Sequence, residues 1–464
     1  MNNFFNLSWF GDRIAVVDEE KKHYSYDFLR LLCEDMEAYL PGEGKKLVFL
    51  LTRNNIETLV GYLALIRGNH VVNLVDRRIN PSLLTELIKN YDPDFIWRPK
   101  GGSGQVVYCS GDYELEQRMP GAGKPSHPDV NLLLSTSGST GSPKLVKLTR
   151  ANLIANARSI ARYLHLDETE RPITLLPFHY SYGLSVINSH LLVGATLVMT
   201  DESVVRGEFW NLFKAECVTS LVGVPYTYEM LKKLGFFRMN LPSLRYMTQA
   251  GGKLGHEYIL EFARFSRQEN FDFYVMYGQT EATARISYLP PGNNISKCKS
   301  IGIPIPDGEL WISDDEGNVV KEIHKEGELV YRGPNVMMGY AEKKEDLCRG
   351  DELKGVLKTK DIAYFDEDGY FYISGRKGRF LKILGNRVNL VELENHLRNM
   401  GFDCACGGQD DLIRIAITDK SVSKKIKKVV VEKFGFQPSL IEVFQVKEIL
   451  KNSSGKIQYK ELFK

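Results

Sequence analysis

No apolar run in this chain is long enough to cross a membrane as a helix. The longest, 59–66 and 191–199, fall well short of the roughly 20 residues needed, so no integral membrane segment is expected. Residues 1–5 lack a basic region leading into an apolar stretch, and no signal peptide is expected. Cysteine is scarce and odd in number, seven scattered residues, the usage of a reducing compartment and not of a disulfide framework; the cytoplasm is the expected location. Cys404 and Cys406 stand too close for a zinc knuckle, and no histidine pair follows them. Neither sign of charge dominates: 60 Lys and Arg against 58 Asp and Glu leave +2, without the field of a general nucleic-acid binder, and no nucleic-acid partner is expected. Internal repeats and low-complexity tracts are also missing. At 464 residues the chain is too long for one ordinary core and implies two or more domains.

The most informative stretch that is present covers 132–147. Apolar Leu132, Leu133 and Leu134 run into Ser135, Thr136, Ser137, Gly138, Ser139, Thr140, Gly141 and Ser142; Pro143 and Lys144 then lead into a second apolar run. Glycines let backbone N–H groups converge on an anion, hydroxyls add donors, and Lys144 brings a mobile positive charge, which together make a phosphate clamp. Taken alone, the same run reads more readily as a flexible linker. Thr149 reads as the N-cap of a helix reaching about residue 163, so the helix follows a second strand. The Walker pattern needs its helix to open at the loop and a different spacing before its lysine, which disfavours a P-loop hydrolase.

Helical and buried-strand patterns alternate before the loop: helices over 26–39 and 55–66, strands over 46–51 and 70–74. Residues 100–124 are polar with a Gly-Gly-Ser-Gly run and read as a surface excursion. Strands resume at 172–176, 195–199, 220–224 and 273–276. Beyond Pro290 short strands and turns (310–313, 327–332, 370–374) suggest a smaller β-rich subdomain. A domain boundary is expected at 375–378, where glycines flank Arg376 and Lys377, ahead of a helix over 390–400.

Four further stretches carry chemistry. Ala250-Gly251-Gly252 would let a planar ring approach the backbone. Tyr277-Gly278-Gln279-Thr280-Glu281 offers an aromatic face, a hydroxyl and a carboxylate at a strand end. Thr359-Lys360-Asp361, read as another strand end, places an acid suited to a ribose diol, and Asn452-Ser453-Ser454-Gly455-Lys456 puts a lysine on a glycine-flanked tip. Singly, each is as readily a turn or a solvated loop.

Together and in this order, these motifs resemble those of the adenylate-forming (AMP-binding) superfamily, which includes acyl-CoA synthetases, luciferases and peptide-synthetase adenylation domains. The resemblance extends from the N-terminal third to the last residues. It implies an α/β fold: a large N-terminal domain, 1–376, with two α/β sheets and a small β subdomain, and a mobile α+β C-terminal lid, 377–464. It implies ATP-dependent activation of a carboxylic acid as an acyl-adenylate with release of pyrophosphate, then transfer to a thiol. The acceptor would be coenzyme A or a carrier protein's phosphopantetheine, with Mg²⁺ as the metal. By this resemblance Thr136 to Lys144 form the phosphate loop, Thr280 bonds the α-phosphate and Glu281 helps hold Mg²⁺. Tyr277 faces the adenine beside Gly251 and Gly252, Asp361 holds the ribose, and Arg376 reaches the ribose or phosphate. Residues 327–334, ending in Gly339-Tyr340, are the structural motif of the smaller subdomain. Lys456 bridges the substrate carboxylate and the α-phosphate, and a face near Lys382 and Gly385 replaces it for the thiol step.

The segment 176–184 resembles the family's acyl-pocket motif, with His179 at the position of the gating aromatic. Amino-acid-activating relatives carry an aspartate where this chain has His179, which favours a small organic, aryl or fatty acid without an α-amino group. Pocket walls are expected from Tyr182, Gly223 to Tyr226, Gly252, Lys253 and residues 283–286. The basic cluster Lys424, Lys425, Lys427 and Lys428 reads chiefly as a solvated helix face. A loader of carrier proteins, an amino-acid adenylating enzyme and a non-catalytic nucleotide- or acyl-binding relative are the competing readings. Two positions depart from the family pattern: Thr359-Lys360-Asp361 replaces Thr-Gly-Asp, and Gly378 stands where the hinge usually has an acid. Since glycine can absorb a dihedral change, Gly378→Pro is expected to impair thioester formation more than adenylation. Equal losses in separately assayed half-reactions would count against a hinge there.

Overall fold

The computed structural model describes residues 4–40, 44–119, 125–135, 144–377, 379–383, 386–434, 436–451 and 457–463. They form two compact units, the first from Met1–Cys298, Pro304–Glu309 and Arg332–Leu357, the second from Lys299–Ile303, Leu310–Tyr331 and Lys358–Lys464. The β-rich segment thus groups with the C-terminal residues. Among the described residues no helix is long and apolar enough to cross a membrane.

The first unit is mixed α/β, as expected. Its largest sheet has eight strands in the order Gly339–Ala341, Leu145–Thr149, Val130–Ser135, Val71–Asp76, Leu47–Thr52, Phe95–Pro99, Tyr113–Gln117 and Gln105–Ser110. The central four strands are parallel, and Leu47–Thr52 is buried along its whole length, as a strand covered on both faces must be. The helix Ile56–Arg67 is likewise buried almost all round and packs in one apolar core with the helix Tyr26–Glu37. Val130–Ser135 and Leu145–Thr149 are antiparallel, so the Ser/Thr/Gly stretch joins two hairpin strands. Thr149 caps the helix Arg150–Tyr163 by accepting from the Asn152 N–H, as its sequence position predicts.

The expectation of a surface excursion over 100–124 is corrected. Gln105–Ser110 and Tyr113–Gln117 pair as a hairpin that extends the large sheet. Its alternation was obscured by Glu114 and Glu116, both buried. Glu114 accepts the Gly102 N–H, and Glu116 lies within 4 Å of Arg98 and Arg118. Residues 172–176 form only isolated bridges at Pro172 and Ile173 and not a full strand.

A second sheet aligns Ser220–Gly223, Tyr246–Gln249 and Asp272–Tyr277 in parallel, with Ser287–Leu289 antiparallel beside them. In parallel α/β sheets ligands bind beyond the carboxyl ends of the strands. Here those ends deliver Gly223, Gly251 and Tyr277. In the second unit a five-stranded sheet, which includes Val356–Phe365 and Phe371–Arg376, precedes the helix Leu390–Asn399 and the three-stranded sheet of Cys404–Gln409, Leu412–Ile417 and Ile441–Gln445. Thr359-Lys360-Asp361 lies inside the strand Val356–Phe365 and not at its end.

The helix Ser181–Val193 is buried from Ser181 to Leu192. Its His190 joins it to the second sheet. Nδ1 lies 2.7 Å from the Val186 carbonyl and so must donate, and Nε2 accepts from the Tyr246 hydroxyl at 2.8 Å. Burial holds the ring neutral and pulls its pKa down to about 4 from an ordinary 6.5. The unfolded chain takes up this proton near pH 6.5 and the folded chain does not. The full contribution is therefore present above pH 6.5 and lost as pH falls toward 4, about 3 kcal/mol in all. Urea unfolding across that window is expected to show the slope in the wild type, and His190→Asn is expected to be less stable at pH 7 but to lack this part of the slope.

Candidate active site

The site in the first unit is built on an improbable turn. After the strand Asp272–Tyr277 the chain passes Gly278, where a side chain would collide with the Ala284 carbonyl. A short helical turn, Thr280–Ala282, follows, and then Thr283 and Ala284 take left-handed conformations with φ of 53° and 105°. Non-glycine residues rarely adopt these and persist there only when their surroundings impose them. Asn335, 1% exposed, imposes them here. Its Nδ2 donates to the Ala282 and Arg285 carbonyls at 2.7 and 2.8 Å, and its own carbonyl accepts the Thr283 hydroxyl at 2.6 Å. The Met337 N–H donates to the Glu281 carbonyl at 2.9 Å. The segment expected to be a structural motif of the smaller subdomain is therefore divided: 333–341 belongs to the first unit and holds this turn.

Tyr340 joins two expected site residues. Its hydroxyl donates to Glu281 Oε1 at 2.8 Å, and Lys144 Nζ lies 3.7 Å from its ring centroid. Thr280 Oγ1 is 3.2 Å from Ser181 Oγ, at the start of the helix Ser181–Val193. Tyr277, half-buried, accepts from Gln279 Nε2 through its hydroxyl. The turn thus presents a hydroxyl and a carboxylate beside the Tyr277 ring, and Tyr340 brings the Lys144 ammonium near the carboxylate.

Tyr180, Ser181 and Tyr182 lie against the second sheet and its turn. Tyr182 is buried; its hydroxyl donates to the Thr248 carbonyl at 2.9 Å, which also accepts from Tyr228 at 2.8 Å. Gly251 has φ of 84°, and a Cβ there would meet the Tyr180 hydroxyl. A Cβ on Gly252 would press on the Pro225 ring, and one on Gly223 would press on Thr227 and Tyr228. His179 sits elsewhere. Thr52 spends its proton on the Val75 carbonyl, so His179 Nδ1 donates to Thr52 Oγ1 at 3.0 Å, and Nε2 lies 3.9 Å from Asp76. Burial lowers its pKa, with Asp76 opposing in part. The aromatic residue against Gly251 is Tyr180, the neighbour of His179. Lys253 is exposed.

In the second unit Asp361 and Arg376 are direct cross-strand partners, with Nε 3.7 Å from Oδ1. Asp361 is buried and Arg376 largely exposed. Thr359 Oγ1 accepts the Asp361 N–H at 3.1 Å, which fixes the acid in the strand. Thr136, Ser137, Gly138, Ser139, Thr140, Gly141, Gly378, Gly385 and Lys456 lie outside the described residues, as does the Lys382 side chain.

Sequence reasoning missed Asn335, Ser181, Thr248 and the site role of Tyr340. Their partners are far away in the chain; Ser181 and Tyr340 fell within stretches the sequence singled out, but with no role assigned to them.

The fold is shared, over the whole chain, with structures solved for other proteins. The o-succinylbenzoate CoA synthetase MenE from Bacillus subtilis, in complex with its acyl-adenylate intermediate, matches with a TM-score of 0.82 at 21% identity, covering 100% of this chain and 98% of that one. ATP-bound MatB from Rhodopseudomonas palustris matches with a TM-score of 0.78 at 19% identity, with the same coverage. At such identities the likeness is one of fold. Residues 6–341 match the family model described as AMP-binding enzyme, and the chain belongs to that family. Among curated relatives, a 2-succinylbenzoate–CoA ligase of Bacillus cytotoxicus is 26% identical over 83% of this chain and 80% of its own length. One from Bacillus pumilus is 29% identical over 64% of this chain and 56% of its own, and an oxalate–CoA ligase of Arabidopsis thaliana is 30% identical over 58% and 52%. The chain spans little more than half the length of these last two.

Asn335→Ala would leave two buried carbonyls without their donor. It is expected to lower stability in urea unfolding by about 2 kcal/mol or more. Tyr340→Phe removes one half-buried hydrogen bond and is expected to cost under about 1 kcal/mol.

Proposed function

We propose that the protein is an AMP-forming acid–thiol ligase that activates a small carboxylic acid with ATP, releases pyrophosphate and passes the acyl group to coenzyme A. The observation that carries this reading is the meeting of Glu281 and Lys144 on Tyr340, beside the Thr280 hydroxyl. A carboxylate oxygen attacks the α-phosphorus in line and the bond to pyrophosphate breaks. Charge then grows on phosphorus oxygens, where cations and hydroxyl donors stabilise it and no protein nucleophile is needed. Lys144 neutralises the departing phosphates, and Thr280 donates to the α-phosphate. The Tyr277 ring lies along the adenine, which Gly251 and Gly252 admit. Among the described residues no cluster of three or more His, Cys, Asp or Glu side chains could hold a metal by itself. That fits Mg²⁺ carried by substrate phosphates with a single protein carboxylate, Glu281. Bound there, the ion would supply charge neutralisation across the phosphates.

By family resemblance Asp361 and Arg376 take the ribose, and Lys456, on a C-terminal lid over 377–464, brings its ammonium to the acid carboxylate and α-phosphate. In the second half-reaction a thiol sulfur attacks the acyl carbon and AMP leaves. The curated relatives named above are CoA ligases, which supports coenzyme A over a carrier-protein phosphopantetheine as acceptor. Seven free cysteines fit a cytoplasmic location.

Pyrophosphate release over a panel of acids tests the reading. Lys456→Ala is expected to cut acid-dependent ATP–pyrophosphate exchange by about a hundredfold or more while ATP affinity, by titration calorimetry, stays within a few-fold. Unchanged exchange would sink the mechanism.

A further inference from the structure

Among the described residues two cations are fully buried, Lys147 and Arg285. Lys147 has the company a buried charge needs: its ammonium bonds the Asp346 and Arg349 carbonyls at 3.2 and 3.0 Å and lies 3.8 Å from Glu352. Arg285 has less. It is 2% exposed, its guanidinium lies 4.1 Å from the Tyr182 ring centroid and bonds the neutral Tyr163 hydroxyl, and its Nε is buried with no hydrogen-bond partner. No carboxylate among the described residues pairs with it.

Tyr163, Tyr180 and Tyr182 surround the charge. They supply no anion. Burial drives their hydroxyl pKa values upward, that of Tyr180 to about 12, so all three stay neutral near pH 7. The Tyr163 and Tyr182 hydroxyls donate to Met276 Sδ and the Thr248 carbonyl. A guanidinium cannot escape by losing its proton. An unpaired buried charge is among the costliest things a fold can hold, and this one is held on the strained turn that Asn335 enforces. The counter-ion therefore has to come with a ligand.

Two ligands could bring it, the nucleotide or the acid. Thr280, at the start of the turn, faces Ser181, and the proposed function gives that end to the phosphate. Arg285 lies at the far end of the turn, over Tyr182, next to the Tyr180 that meets Gly251. We propose that Arg285 is a specificity-determining residue that binds a second carboxylate of the acid, so that the acid activated is a dicarboxylate. The planar guanidinium fork suits a carboxylate. This inference rests on the acid-activating function proposed above.

The experiment compares dicarboxylic acids (succinate, glutarate, phthalate and 2-succinylbenzoate) with their monomethyl esters as substrates for pyrophosphate release. The wild type is expected to favour at least one diacid over its monoester by about a hundredfold or more in kcat/KM. In Arg285→Met that preference is expected to fall at least tenfold, chiefly through KM for the diacid, with partial recovery in Arg285→Lys. Monoesters or other monoacids used as well as the best diacid by the wild type would overturn the inference without recourse to any variant. So would a preference that survives in Arg285→Met, or a raised KM for ATP with the acid preference unchanged, which would assign Arg285 to the nucleotide. Absence of pyrophosphate release with every diacid and monoacid would instead sink the acid-activating function itself, and this inference with it.

Discussion

The Asn335 side chain holds two buried carbonyls, and through them a turn that no local preference would choose. Left-handed Thr283 and Ala284 cost conformational energy that only a buried, fully bonded clamp can offset. From this turn come Thr280 and Glu281 at one end and Arg285 at the other. The side chains proposed to face substrates therefore inherit their positions from a residue outside that set. Gly278 is the second half of the constraint, since any side chain there would displace the Ala284 carbonyl.

Charge at the site is handled differently from charge in the rest of the molecule. In the second unit buried Glu394 meets Arg379 and Arg398 at 3.1 and 3.2 Å. Lys147 is bonded by carbonyls. Around the turn, by contrast, Lys144 and Glu281 share a tyrosine and do not pair with each other, and Arg285 lies against rings. Under the proposed function, a site that accepts phosphates and carboxylates gains by keeping its cations unneutralised until the ligand arrives.

Much of this was legible in the chain. Parallel-strand runs and the Thr149 cap are local signals, and the structure places them as those signals indicate. Where reading along the chain failed, the cause was a distant partner. Glu114 and Glu116 made a sheet hairpin look like a polar excursion because the groups beside them, the Gly102 N–H and the Arg98 and Arg118 charges, are not in the pattern. The surroundings of His179 were equally hidden: its ring bonds Thr52 and lies near Asp76, on two strands of the large sheet, while its neighbour Tyr180 meets Gly251.

Sequence alone determined the chemical inventory and its order, because hydroxyls, glycines and charges at strand ends are written in consecutive residues. Tertiary structure decided which of them meet. Tyr340 bridging Lys144 and Glu281, Asn335 forcing the turn, and Arg285 buried without an anion all depend on segments that are remote in the chain. Burial, hydrogen-bond satisfaction and charge pairing are properties of the packed molecule, and no single stretch of residues carries them.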